Sequence, residues 1–151
     1  MNQSSPKGKS VNDFIKKDAY PAYMGGMWHI LWALNYSGPG SSFAKVDWNS
    51  AYKHVGVTVK QLILQWFFWL GRYFYERCLI FGTISSVGIY DRFARLIVLI
   101  VVGFLDYPGK LIVQHLDDVC IIGSEVMVEE FYTTYRQVCS EVGVSLQEPR
   151  D

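Results

Sequence analysis

Leu111–Gly123 reads LIVQHLDDVCIIG. Two adjacent acids, Asp117 and Asp118, sit between two short apolar runs. Leu111, Ile112 and Val113 lead in, and Val119, Cys120, Ile121 and Ile122 lead out. Gly109 and Gly123 bound the stretch. Short β-branched runs between glycines predict two buried strands, and the acids fall at the turn that joins them. Negative charge at the rim of a dry sheet is costly unless something positive compensates it. A divalent cation is one candidate.

Asp is also a common turn residue, because its side chain can hydrogen-bond its own backbone. The pair alone therefore fits a plain turn better than a metal site. A second acid in a similar setting shifts the balance. Asp47 ends the strand-like run Ser42–Val46 in SSFAKVDWNSAY. It lies so far upstream that the fold, and not local spacing, has to bring the acids together.

The 151 residues suit one folded domain, half of them hydrophobic and 16% aromatic. That composition excludes disorder over most of the length. Lys plus Arg and Asp plus Glu each number 14. Zero formal charge argues against a free-standing nucleic-acid binder that works through bulk positive charge. Cys78, Cys120 and Cys139 have no CxxC spacing and read as reduced, core-type thiols of an intracellular protein that is not secreted. His29, His54 and His115 also lack ligand spacing. The most membrane-like stretch, FARLIVLIVVGFL at Phe93–Leu105, contains Arg95 and falls short of the ~20 apolar residues a span requires.

Along the chain, residues 1–10 read as a loose segment and 11–151 as one domain. Asn12 or Asp13 is expected to cap a first helix. Ala19–Leu34 reads as a helix interrupted at Met24–Met27, with an apolar stripe at Met27, Ile30, Leu31 and Leu34. NYSGPGSS is a loop, Ser42–Trp48 the first strand, and Asn49–His54 a tight helical turn. Gln61–Leu70 and Tyr73–Ile80 read as two strands joined at Gly71-Arg72, their aromatic residues packed into a core or sheet. Ser85 or Ser86 caps a long apolar helix ending near Tyr107. The Asp117–Asp118 hairpin follows, then a helix over Glu125–Val142 and a further strand at Val144–Leu146. The expected class is α+β, a mostly antiparallel sheet with helices packed on one face.

With these elements in order, the residues resemble the palm of a reverse transcriptase, an RNA-directed DNA polymerase. KVDWNSAYKHV is similar to the family's first catalytic motif, with Asp47 and Tyr52. LIFGTISSVGIYDR resembles the second, HLDDVCIIG the double-acid hairpin, and FYTTYRQVCSEVGVSLQ the helix and strand that follow it. The look is most similar to fungal DIRS-like retrotransposon polymerases. There are departures. His115 stands where most of the family has Tyr, and Ile80 and Val87 stand where it has prolines. SSPKGKSVND resembles only the trailing edge of the fingers, so the resemblance implies truncated fingers and no thumb.

The resemblance implies two-metal nucleotidyl transfer to a primer 3′-hydroxyl. Asp47 and Asp117 would bridge two Mg²⁺ ions (or Mn²⁺), Asp118 would be a secondary ligand, and the Trp48 carbonyl would complete one shell. Backbone N–H groups of Ser50 and Ala51 would face the triphosphate. Tyr52 would lie under the sugar, and Phe81 and Gly82 would floor the nucleotide pocket. The implied partners are an RNA or DNA template-primer and a dNTP, together with further retroelement domains and no membrane. Without fingers and thumb the implied activity is weak or absent. The alternative is a catalytically dead retroelement remnant, or a truncated gene model, with no enzymatic activity. A membrane-associated helical protein built around Phe93–Leu105 is a third reading.

Overall fold

Both apolar runs around the double acid are strands in the computed structural model, which describes residues 3–148. Residues 1–2 of the expected loose segment and 149–151 of the expected domain lie outside the described residues. The described chain groups into two compact units. One comprises residues 3–22 with Ser50–Asp91, the other Tyr23–Asn49 with residues 92–148. The class is α+β, with antiparallel sheets and four helices.

The second unit carries a three-stranded sheet of order β1-β5-β4, where β1 is Ser42–Asp47, β4 Ile112–His115 and β5 Asp118–Gly123. Helix α1 (Met27–Ser37) packs on β5 and β4, and α4 (Glu125–Glu141) packs on β1 and β5. On the sheet face beneath α1, Val113, Cys120 and Ile122 meet Ala33, with Ile30 alongside. Strand alternation turns Val119 and Ile121 to the other face, where both are fully buried. Burying residues of this size stabilises the fold by roughly 1.5–3 kcal/mol each.

The α1 stripe departs from the expected pattern. Met27, Leu31 and Leu34 are exposed, and Ala33 is the residue that enters the core. A small side chain there lets the helix approach the sheet, which a hydrophobic periodicity cannot foretell. The expected helix before it is absent. Lys17–Ala19 makes one 3₁₀ turn, and no helix resumes before Met27. The Gly25 N–H donates to the Gln114 carbonyl at 2.6 Å. A Cβ on Gly25 would lie 2.5 Å from Val113 Cγ1 and 2.7 Å from Gln114 O. The segment therefore lies against β4 and needs Gly25 to do so.

In the first unit, Ser10 caps the opening 3₁₀ turn Val11–Phe14, not Asn12 or Asp13. Ser10 N and Oγ both donate to Asp13 Oδ2, at 2.9 and 2.6 Å. Asn12 serves elsewhere. Its Nδ2 donates to the Gly82 carbonyl at 2.7 Å, and its Oδ1 accepts from Ile84 N–H at 2.9 Å, which caps helix α3 (Ile84–Leu105). Gly88 of α3 runs against the Tyr20 backbone, where a Cβ would sit 2.4 Å from the carbonyl oxygen.

Gln61–Leu70 is not one strand. Val59–Leu62 is a short helix, α2, followed by a 3₁₀ turn, Ile63–Gln65. The Thr58 N–H donates to Gln61 Oε1 at 3.0 Å, one half of a capping box that the T-x-x-Q spacing announces. The strands are β2 (Trp66–Trp69) and β3 (Arg72–Tyr75), joined at Leu70-Gly71 and not at Gly71-Arg72. Both loop residues have positive φ, 46° and 75°, as a type I′ turn requires. Of the core or sheet packing expected for these rings, the core alternative fails, because all the strand residues are exposed. The rings meet one another across the ladder instead: Phe67 stacks on Phe74 at 5.5 Å and Trp66 on Tyr75 at 6.1 Å.

Helix α3 is apolar on most sides, burying Tyr90, Ala94, Ile97 and Val101 while Leu99 and Phe104 are exposed. Among the described residues no helix is long and apolar enough to cross a membrane. The expected strand at Val144–Leu146 contracts to one antiparallel bridge, Leu146 with Trp48.

Candidate metal-binding rim

Strand register brings the distant acids together. In the β1–β5 ladder Asp47 is the Cα partner of Asp118, and in the β4–β5 ladder Asp118 is also the partner of His115. Leu116 and Asp117 form the two-residue turn of that hairpin, with Leu116 at a φ of 53°. A branched side chain there is held against its preference, at a cost of order 1–3 kcal/mol.

Trp48 follows Asp47 into the core and is 1% exposed. Its indole Nε1 donates to Tyr135 Oη at 2.8 Å, and its ring stands edge-on to Phe93. Burial raises the pKa of Tyr135 far above the usual phenol value, and the bond from Trp48 opposes part of that rise. On either side of Trp48, Asn49 N–H donates to Ser145 O and Gln147 N–H donates to Asp47 O. With the side chain committed to the core, any role of Trp48 toward a cation falls to its backbone.

His115 occupies the position where the resemblance expects Tyr. It is exposed, and its Nδ1 lies 2.6 Å from the Gly25 carbonyl, which assigns Nδ1 as the protonated nitrogen. The imidazole thus ties the segment before α1 to the acid hairpin. The sequence reading gave His115 no role.

Burial raises the pKa of the Asp47 carboxyl above 3.8, and repulsion from Asp118 and then Asp117 adds to it. Lys45 opposes the rise. Asp47 Oδ1 is buried and accepts no hydrogen bond. Asp118 is compensated differently, since its Oδ1 lies 2.8 Å from Lys45 Nζ. Among the described residues no three His, Cys, Asp or Glu side chains are arranged as a metal-holding group. The donor chemistry nevertheless suits a hard divalent cation: adjacent carboxylates, one with an unsatisfied buried oxygen, and one balanced by an exchangeable ammonium group.

Ser50, Ala51, Tyr52, Phe81 and Gly82 belong to the first unit. Ser50 has φ 55° and precedes the 3₁₀ turn Ala51–His54, where Ala51 and Tyr52 are buried. The Tyr52 ring contacts Phe81 edge-on at 4.7 Å and Tyr90 at 5.2 Å. Phe81 remains 79% exposed, and Gly82, whose carbonyl accepts from Asn12, has φ 87°. Asn12, which the sequence marked only as a candidate cap, is therefore the residue that fixes the Phe81–Gly82 turn.

No family model matches this sequence, and no curated protein matches it. Solved structures do share its fold. The native crystal structure of prototype foamy virus protease-reverse transcriptase superposes with a TM-score of 0.66 at 14% identity. The selenomethionine-labelled CSH mutant of the same protein gives 0.64 at 16%. Each match covers 91% of this chain and 17% of the other, so the chain spans about a sixth of the length of those proteins. At this identity the likeness establishes a reverse-transcriptase-like fold.

Proposed function

We propose that this chain is the palm portion of an RNA-directed DNA polymerase from a retroelement, of the DIRS-like kind its motifs resemble. The observation that carries the reading is the register setting Asp47 opposite Asp118, on the hairpin whose turn holds Asp117, within a reverse-transcriptase-like fold. Asp47, Asp117 and Asp118 would hold two Mg²⁺ ions, with the Trp48 carbonyl as a further ligand. When bound, such ions stabilise the attacking and leaving oxygens of an in-line displacement at phosphorus.

For the nucleotide, the reading assigns the Ser50 and Ala51 N–H groups to the triphosphate. Tyr52 lies under the sugar and selects deoxyribose by bulk. Phe81 and Gly82 form the floor. Support for the last two assignments is the aromatic contact of Tyr52 with Phe81 and the positive φ of Gly82 beside it. The partners are a template-primer duplex and a dNTP, and further polymerase segments would supply most of the grip on the duplex.

Primer extension on an RNA template, with Mg²⁺ or Mn²⁺, tests this. The expected result is weak, non-processive addition that Asp47→Asn and Asp117→Asn abolish. Addition that survives both substitutions would contradict it. A second reading, a retroelement remnant without activity, is favoured by the departures from the family's pattern at His115, Ile80 and Val87. No extension under any metal condition is the outcome that selects it.

A further inference from the structure

We infer that Lys45 is a resident counter-ion of the acid rim, holding in the cation-free protein the carboxylate that a divalent cation takes on binding. The inference rests on reading Asp47, Asp117 and Asp118 as the metal acids.

Lys45 precedes Asp47 by two positions on β1, so strand alternation puts both side chains on one face. Its Cα partner on β5 is Cys120, two positions after Asp118. Diagonal neighbours of this kind lie within reach of a long side chain. The Nζ sits 2.8 Å from Asp118 Oδ1. Among the described residues no other Lys or Arg pairs with any of the three acids. Lys45 pairs with Asp118 alone, and three carboxylates against one ammonium group leave the rim's formal charge negative with Lys45 in place.

The pair is built to open. The two side chains are 47% and 35% exposed. An ion pair so wetted contributes only about 0–1 kcal/mol, which is little against a divalent ion bound by several oxygens. Asp47 Oδ1 is buried and has no hydrogen-bond partner, so no protein donor competes for it. Binding is then an exchange: the cation takes Asp118, and the Lys45 ammonium group swings to water. The strength of cation binding is set by Lys45 as well as by the acids.

Electron paramagnetic resonance of free Mn²⁺, at low ionic strength, measures the effect directly. The wild-type chain, Lys45→Met and Lys45→Arg are compared, each with thermal melting in the presence and absence of Mn²⁺. Lys45→Met is expected to bind about tenfold more tightly, because a repelling charge has gone. Its melting temperature should also rise more on Mn²⁺ addition than that of the wild type. Lys45→Arg should stay within about twofold of wild type. Binding by Lys45→Met alone also supports the exchange. Equal affinity in wild type and Lys45→Met would overturn the inference while leaving the metal reading intact. Absence of binding in all three chains would remove both.

Discussion

Asp47 of β1 stands directly opposite Asp118 of β5, and the repulsion between them helps hold the Asp47 carboxyl above its usual range. A carboxylate whose folded pKa is raised binds its proton more tightly in the native state than in the unfolded one. Its contribution to stability therefore falls as pH rises from the unfolded value, 3.8, through the folded one. At neutral pH the ionised Asp47 is a net cost. Asp47→Asn should raise the melting temperature of the cation-free protein at pH 7, and the gain should shrink as pH falls through the raised folded pKa toward 3.8. A lower melting temperature at pH 7 would mean that Asp47 is stabilised by something other than a cation.

Two glycines are held by contact, and substitution should show it. Gly25→Ala forces a Cβ into Val113 and the Gln114 carbonyl, and Gly88→Ala forces one into the Tyr20 backbone. Each is expected to cost about 1–3 kcal/mol, as overpacking does. Urea denaturation followed by tryptophan fluorescence measures it. A neutral Gly25→Ala would mean that the segment does not lie against β4.

The β2–β3 hairpin should respond weakly. Its aromatic residues are exposed, so Phe67→Ser loses a cross-strand contact with Phe74 and little burial. The expected cost is roughly 0.2–1 kcal/mol by the same denaturation measurement. A loss of several kcal/mol would show that the hairpin is covered.

Tyr52→Ala tests sugar choice. The ring is buried against Phe81 and Tyr90, so truncation should cost roughly 3–5 kcal/mol. The informative readout is therefore the ratio of ribonucleotide to deoxyribonucleotide addition by the folded fraction in primer extension. That ratio should rise. An unchanged ratio would remove Tyr52 from the role of sugar gate.

The acid hairpin was legible because its evidence is local: β-branched runs and bounding glycines agree, although the turn falls at Leu116-Asp117 and Asp118 already opens β5. Its pairing with the strand that ends at Asp47 needed the family resemblance, since nothing in the spacing links the two stretches. Lys45 escaped because its importance depends on a diagonal across two strands. The aromatic run at Trp66–Tyr75 misled for a different reason. Alternating rings suit any strand, buried or not, and among the described residues these two strands pair only with each other. In the preceding stretch, Thr58 and Gln61 carried a capping signal that the apolar run Leu62–Leu64 overshadowed. Asn12 was recognised as a capping residue, but the helix it caps begins some seventy positions later, at Ile84.

Cation binding at the rim requires three carboxylates acting together, and carboxyl ¹³C resonances report on that residue by residue. Adding sub-stoichiometric Mn²⁺ should broaden the signals of Asp47, Asp117 and Asp118 first and together, leaving Glu125, Glu141 and the other surface acids sharp. Broadening spread evenly over the exposed acids, or sparing Asp47 while it reaches the hairpin pair, would contradict it.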